Sequence, residues 1–572
     1  MPTNNIDPYQ RVAELASKEP ELWTQDACGV TRSERGIPAL LHRDAYAHES
    51  EKARVLLVGG LSGRANDVDL AFQVLEVFAD DRDLRGRLAL SAVPCGNPDG
   101  LELGVAPGNG AGGNPSAGYP PSENFYFDQH DPESRYLWRW VSFQAPDFVF
   151  EVVMSDSVKW EAFRLDDSIA SAVGANIAGP DDSLLGALGT GNPSNLAPVP
   201  GLRLSCPSES LDAELEKLWS ALAENKAGSS PARDVLGQRR RRSPLEVARI
   251  LGAAYGNKLD PVIYTQGVGV SGTLRLAQLD SRSDHLVSEV KNLVEPYVSG
   301  DKPMFEENAG GASLAGIVWA EELFEITSDE RYADLILSVA DRYRVMRPEG
   351  VPGPADIEYR VEDMFYNGAI LGRAYKVSGD VTYLDIQTKF LLEAGVQQDN
   401  GLFWHDREAP WYWGRGNGFA ALGYAETLSY LPQDHPDRRA LIDMHCKHLN
   451  ALIEKQAAAG GWLEVIDFPG SYQELSVTCQ VGYAMARGMR LGYLDSSYKD
   501  PLSAAWNAVN ERIDDEGGLV DVCTGTGVQA STRDYLDRPA IFGLDDRGGS
   551  LAIWFAVEML RFSTESKSSG GR

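Results

Sequence analysis

Two rhythms of apolar positions divide the chain. In the first part, short apolar runs closed by glycine or polar turns alternate with stretches whose apolar residues recur three and four apart. "RVLLVGG" (54–60), "RLALSAVPC" (87–95) and "PDFVFEVVMS" (146–155) read as buried strands, being short and rich in β-branched residues. "VDLAFQVLEVFAD" (68–80) and "ESRYLWRWVSF" (133–143), which lie between them, carry helical spacing. Strands separated by helices predict an α/β domain with a mostly parallel sheet. "PVIYTQGVGVSGTLRLAQL" (261–279) also reads as sheet-like, which extends this domain over residues 1–280. Inside it, "NKAGSSPAR" (225–233) and "LGQRRRRSP" (236–244) are polar and basic and predict a solvated linker near 226–244.

From about residue 282 the period is helical. "TSDERYADLILSVADRY" (327–343), "SGDVTYLDIQTKFLLEAG" (378–395) and "GYLDSSYKDPLSAAWNAV" (492–509) repeat one design: a polar turn with Asp, then Tyr, then an amphipathic helix. Such recurrence predicts stacked helix pairs. The span 282–565 has room for roughly six helical hairpins. Six hairpins closed in a ring make an all-α (α/α)6 toroid, with helix starts and loops around a central cavity; the alternative is an open superhelix.

Composition narrows the function. At 572 residues the chain exceeds one ordinary core, and at 43% hydrophobic and 24% charged residues it is globular. A net charge of −30 excludes nucleic acid and anionic membranes as natural partners. No apolar run reaches the roughly 18 residues of a membrane span. The start, "MPTNNIDPYQRVAEL", lacks the pattern of a secretory signal, and the six cysteines are scattered with no CxxC, so a cytoplasmic location is expected.

The stretch "WYWGRGNGF" (411–419) carries the densest chemistry. Gly416 and Gly418 permit close approach of a ligand. Asn417 is placed to cap a helix beginning near Phe419, and Arg415 then sits by a helix N-terminus, where an anion is already favoured. Trp411 and Trp413 offer flat faces to a sugar ring. The combination suits a carbohydrate bearing a carboxylate; the plainer reading is a helix start whose arginine pairs with a structural acid. "HCKH" (445–448) has no carboxylate or thiolate partner in view and reads as a surface patch rather than a metal site. Gly108, Gly110 and Gly113 satisfy GxGxxG formally, but prolines flank them and no helix opens there, so they read as a loop. No cofactor is implied.

The second half resembles the unsaturated-uronide hydrolases of glycoside hydrolase families 88 and 105. "WGRGNGF" (413–419) is similar to their W-x-R-G-N-G-W element, with Phe419 in place of the last Trp. "VEDMFYNGAILGRAYKVSGDVTYLD" (361–385) resembles their acid-bearing segment, "GLFWHD" (401–406) the segment whose histidine contacts substrate, and "ELSVTCQVGYAMARGMRLGYLD" (474–495) and "GGLVDVCTGTGVQ" (517–529) two later stretches. The resemblance implies hydration of the C4=C5 double bond of a 4,5-didehydro uronic acid at the non-reducing end of an acidic oligosaccharide. It places the acid at Glu362, with Asp363 beside it as the other candidate, and His405 on the substrate. The family's second aspartate falls in "FEENAGGASLAG" (305–316), where Glu307 and Asn308 compete for the position. Two other readings remain open: an exo-acting uronidase on saturated sugars using paired carboxylates such as Glu307 and Glu362, and a non-catalytic carbohydrate-binding or scaffold protein.

In the first half, "VLLVGGLSGRAND" (55–67) and "VPCGNPDGLEL" (93–103) resemble the zinc carboxypeptidase fold, where a strand ends in G-G-x-H-G-x-E and a later one leads into N-P-D-G. Ser62 and Ala65 stand at the first two ligand positions, and "FEVVMS" (150–155) offers no histidine. The resemblance therefore implies a degenerate carboxypeptidase-like domain without catalytic zinc.

Overall fold

The computed structural model describes residues 7–121, 125–165, 167–190, 196–224 and 228–569. The chain forms two compact units: Met1–Arg241 with Phe468–Tyr472, and Arg242–Asp467 with Gln473–Arg572.

The first unit is built on an eight-stranded mixed sheet: β1 (Trp23–Val30), β2 (Gly36–His42), β3 (Ala53–Val58), β4 (Leu88–Val93), β5 (Phe148–Met154), β6 (Lys159–Phe163), β7 (Asn176–Ile177) and β8 (Gly201–Cys206), in the order β1-β2-β4-β3-β5-β8-β6-β7. The centre, β4-β3-β5-β8, is parallel. Every residue of β3 and β4 is buried, which is why both read as continuous apolar runs. Helices Ala65–Asp80 and Pro132–Gln144 occupy the expected places between strands. At the margins β1 pairs antiparallel with β2, β2 with β4 and β6 with β8, while the two-residue β7 pairs parallel with β6.

The expected linker is folded. Residues 226–227 lie outside the described residues, but Pro231–Arg240 is a helix capped by Ser230. Arg233 is buried in a two-pronged contact with Asp147 (3.0 and 2.7 Å). Arg240 donates to the Tyr46 carbonyl (3.1 Å), and Arg242 to Asn510 Oδ1 (3.0 Å) and the Ile513 carbonyl (2.7 Å). A run of arginines that reads as solvated thus spends its donors on carbonyls and carboxylates. The division between units falls at Arg241/Arg242, earlier than the expected 280.

The second unit is a closed ring. Its inner helices are α1 (Tyr264–Leu279), α2 (Ala320–Thr327, preceded by the short turns Gly311–Leu314 and Ala315–Ile317), α3 (Val361–Ser378), α4 (Gly414–Tyr430), α5 (Leu475–Arg490) and α6 (Asp546–Ser569). Each neighbours the next, α2 through its preceding turns, and α6 packs on α1. Helices His285–Val298, Glu330–Ala340, Thr382–Glu393, Arg438–Ile453 and Lys499–Glu511 lie outside α1 to α5 in turn; Pro244–Ala254, first in the chain, backs α6. Among the described residues this makes six inner–outer pairs, an (α/α)6 arrangement whose last pair joins the first and last helices of the unit. The repeated Asp–Tyr design marks the inner-to-outer turns: Asp329, Asp380 and Asp495 accept backbone N–H groups there, and Tyr332, Tyr383 and Tyr498 are buried behind them.

The segment read as sheet-like is therefore α1. Residues 267–277 are buried on every side, so the helix lacks the polar face that reveals a surface helix. Its glycines serve close packing, since a β-carbon at Gly267 would collide with the Gly316 carbonyl. A chain of buried ion pairs then links the ring. Arg275 (α1) meets Glu322 (α2) at 2.7 Å; Arg373 (α3) meets Glu321 (α2) at 3.1 Å and Glu426 (α4) at 2.9 Å. Arg487 (α5) reaches Glu426 at 3.8 Å and Glu558 (α6) at 3.3 Å, and Arg275 lies 4.2 Å over Trp554 of α6. Among the described residues no helix is long and apolar enough to cross a membrane.

Candidate functional site

The start of α3, the loop before α4, the strand Leu519–Cys523 and the short helix Thr532–Leu536 converge in the second unit. The loop is pinned by backbone bonds: Val361 N–H donates to the His405 carbonyl (3.1 Å), and His405 N–H to the Trp411 carbonyl (3.1 Å). This brings His405 Nε2 within 3.3 Å of Glu362 Oε1. On the other side His405 Nδ1 lies 2.6 Å from Tyr535 Oη, which accepts the Gln529 N–H (3.2 Å). His405 thus bridges the Tyr535 hydroxyl on its Nδ1 side and the Glu362 carboxyl on its Nε2 side.

The two acids at the head of α3 differ. Glu362 is buried and its Oε2 has no hydrogen-bond partner among the described residues; burial alone would raise its pKa, but His405 holds it below the usual value. Asp363 turns away and accepts the Asp356 N–H (2.8 Å). Burial pushes its carboxyl up to about 7, with Glu362 adding to the effect and the Asp356 N–H opposing it.

Trp413 is buried rather than presented to solvent. Its ring centre is 4.5 Å from that of His405 and 4.9 Å from the Arg415 guanidinium carbon, and its Nε1 donates to Glu464 Oε1 (3.1 Å). It therefore wedges apart two polar groups, and Trp411, half-buried and 5.9 Å from Tyr535, is the ring left with a partly open face. Arg415 is also buried, donating to the carbonyls of Cys523 (2.7 Å) and Thr524 (2.6 Å), with Glu474 at 3.9 Å.

Asn417 is not a helix cap. Gly414 N–H donates to the Glu464 carbonyl (2.6 Å), and the helix starts there, five residues before Phe419. Asn417 instead straps the His405 loop to α4: Oδ1 accepts the Phe403 N–H (2.9 Å), and Nδ2 donates to the carbonyls of Phe403 and Trp413 (both 3.0 Å). His448 Nε2 lies 3.2 Å from the same Oδ1. The "HCKH" histidines are thus not a surface patch: both are fully buried, and burial lowers the His445 pKa to about 3. Phe419 packs in an aromatic group with Tyr264, Tyr366 and Phe365, at centroid distances of 5.5, 5.6 and 6.0 Å. Glu307 and Asn308 are exposed on the turn before Gly311, and among the described residues no hydrogen bond or ion pair joins them to this cluster.

Four participants escaped sequence reasoning. Tyr264 belongs to the segment that reads as sheet-like, and its ring packs against Tyr366 and Phe419 (5.2 and 5.5 Å). Tyr535 and Glu464 come from short irregular segments with no periodicity to expose them, and Glu474 opens the stretch 474–495 as the cap of α5 without being singled out.

In the first unit, Ser62 bonds Asp67, whose other oxygen accepts the Met154 N–H (2.7 Å). Asn97 caps helix Pro98–Leu103. Among the described residues no group of three or more His, Cys, Asp or Glu could hold a metal ion.

Two curated proteins are similar to part of this chain. An unsaturated 3S-rhamnoglycuronyl hydrolase of Alteromonas sp. (strain LOR) is 28% identical over 157 residues, covering 25% of this chain and 38% of its own length. The unsaturated rhamnogalacturonyl hydrolase YesR of Bacillus subtilis (strain 168) is 29% identical over 150 residues, covering 26% and 42%. The chain thus spans about two fifths of the length of these relatives. A solved family 105 glycoside hydrolase of C. acetobutylicum ATCC 824 superposes with a TM-score of 0.49 at 20% identity, over 55% of this chain and 99% of its own. The model of Glycosyl Hydrolase Family 88 matches residues 246–563, more than half of the chain and coincident with the helical ring. The chain belongs to Glycosyl Hydrolase Family 88.

Proposed function

We propose that the protein removes a 4,5-didehydro uronic acid from the non-reducing end of acidic oligosaccharides by hydrating its vinyl ether. The observation that carries this reading is the Glu362–His405 pair, 3.3 Å apart, at the head of an inner helix and beside Arg415. Hydration begins with a proton on C4, which leaves positive charge on C5 and the ring oxygen; water then adds at C5, and the hemiketal opens to release the aglycone. A carboxyl and an imidazole in contact can share the proton this needs. Glu362 is the proton donor in this reading, because Asp363 is spent on the Asp356 backbone. Arg415 supplies positive charge toward the uronate, and Trp411 offers a face to the sugar. The activities of the two curated relatives point the same way. A paired-carboxylate mechanism has less support, since Glu307 stands outside the cluster.

Unsaturated uronides absorb in the near ultraviolet. The expected result is loss of that absorbance together with release of the aglycone; release of sugar from saturated uronides alone would overturn the reading.

The first unit we propose to be a carboxypeptidase-like scaffold without metal. In support, β3 runs out into Gly59-Gly60, Asn97 caps the turn after β4, and Ser62 is engaged by Asp67. Elemental analysis should find no stoichiometric zinc; one tightly held zinc per chain would overturn this.

A further inference from the structure

Glu464 has no part in the proton transfer, yet it ties three parts of the site together. Its backbone carbonyl accepts the Gly414 N–H that starts α4, its Oε1 accepts both Trp413 Nε1–H (3.1 Å) and the Cys523 thiol (3.0 Å), and its Oε2 is buried with no hydrogen-bond partner among the described residues. The charged and titratable groups that face it are Arg415 from α4, Glu474 from the start of α5, Cys523 from the strand Leu519–Cys523 and Tyr535 from the helix Thr532–Leu536, with His405 on the Trp413 ring. Glu474 is already committed as an anion-type acceptor: it takes the Cys523 N–H (3.0 Å), the Val477 N–H (2.7 Å) and the Ser476 hydroxyl, and lies 3.9 Å from Arg415. One arginine therefore stands among two carboxyl groups.

We propose that Glu464 is a positioning residue that works as an uncharged carboxyl, holding the Trp413 ring between His405 and Arg415 while keeping a second anion away from the Arg415–Glu474 pair, so that the substrate's carboxylate meets no net negative group. An ionised Glu464 would leave a buried anionic oxygen without a donor, the costlier of its two states. It would also turn Arg415 and its two neighbours into a net negative group, which repels an acidic sugar. Burial pushes the Glu464 carboxyl up to about 8, with Glu474 adding to the effect and Arg415 opposing it. The thiol of Cys523, pushed up to about 12 chiefly by burial, stays a donor throughout.

The role in substrate binding rests on the proposed function; the charge state does not, and two measurements separate them. Glu464→Gln keeps the shape and an acceptor for Trp413 but cannot ionise. Its kcat/KM on an unsaturated uronide disaccharide at pH 6.5 should stay within about threefold of native, whereas Glu464→Ala should lose about thirtyfold or more, mostly in KM. Above pH about 8 the native KM should rise while that of Glu464→Gln stays flat. Should Glu464→Ala be unstable, Trp413→Phe removes the same hydrogen bond from the other side and should shift KM likewise. Independently of activity, thermal unfolding reads the charge state. A carboxyl whose ordinary value is 4.5 and whose folded value is about 8 stabilises the fold fully below the first and loses that contribution as pH rises through the second. Native and Glu464→Gln proteins should melt together near pH 5, and the variant should melt higher near pH 9. Parallel melting at all pH values, or a Glu464→Gln as impaired as Glu464→Ala, would overturn the proposal. A native protein inert toward unsaturated uronides but with the melting difference intact would overturn the proposed function and the binding role, and leave the uncharged Glu464 standing.

Discussion

The helical ring buries two sets of carboxyl groups, and they are treated in opposite ways. In the ladder between inner helices each acid has an arginine: Glu426 is deeply buried, which would raise its pKa, yet Arg487, Arg373 and Arg275 hold it down at about 2. Around the site the arginines are missing or shared, and burial wins: Asp363 rises to about 7 and Glu464 to about 8. The difference gives the two sets opposite pH signs. The ladder's contribution is present above the ordinary value of 4.5 and lost as pH falls toward 2; that of Asp363 and Glu464 is full below about 4 and lost as pH rises through about 7 to 8. One set is spent on the fold; the other stays uncharged near neutrality around Glu362, the proposed donor, whose own pKa His405 holds low.

The largest expected effect comes from the site. Glu362→Gln keeps the shape of the side chain but has no proton to donate, so turnover should fall by about 10³–10⁴-fold while the melting temperature stays near native. Asp363→Asn, which keeps an acceptor for the Asp356 N–H, should cost far less activity. If Asp363→Asn abolished turnover and Glu362→Gln did not, the two acids would exchange roles.

Breaking the ladder should do the reverse. Glu426→Ala leaves Arg373 with Glu321 alone and removes the acceptor of the Tyr483 hydroxyl (2.7 Å), a loss of about 3 kcal/mol in stability. Denaturant unfolding of the variant measures it. The remaining folded fraction should keep its KM, because Glu426 lies among the inner helices and touches no residue of the site. A third change sits between the two sets. Arg415 bonds two carbonyls and serves the site, so Arg415→Ala should cost about 2–3 kcal/mol of transition-state binding, tens- to a hundredfold in kcat/KM, together with some stability. Arg415→Lys should recover only part, since one ammonium cannot reproduce the planar fork.

How much of this was legible in the sequence follows from the same contrast. Outer helices face water on one side and show their period, so their Asp–Tyr turns could be read three times over. The central strands β3, β4 and β5 stood out because both their faces are covered. Helix α1 could not be read: buried all round and studded with Gly, Val and Thr, it carries no polar face, and its strand-like composition hides Tyr264. The site divides similarly. Glu362, His405, Trp413 and Arg415 were gathered from motifs, and the structure brings them together. Asn417 was taken for a cap because Asn favours caps, but the Glu464 carbonyl starts the helix earlier, and that contact joins residues 50 apart in the chain. Glu307 and Asn308 matched by order in the sequence, yet their turn stays in solvent.

The smallest effect tests the finest part of the comparison, whether His405 is oriented or merely buried. Tyr535 Oη is the partner of His405 Nδ1, and its own position is set by the Gln529 N–H. Tyr535→Phe leaves the ring, and with it the contacts to Trp411 and His405, but removes the hydroxyl. Without it the imidazole can place its proton on either nitrogen, and the form with a bare Nε2 toward Glu362 cannot donate to that carboxylate. About half an order to one order of magnitude in kcat should be lost, roughly 1 kcal/mol, with little change in KM, because neither Arg415 nor Trp413 is disturbed. A variant with native kcat would show that the Glu362 contact alone orients His405.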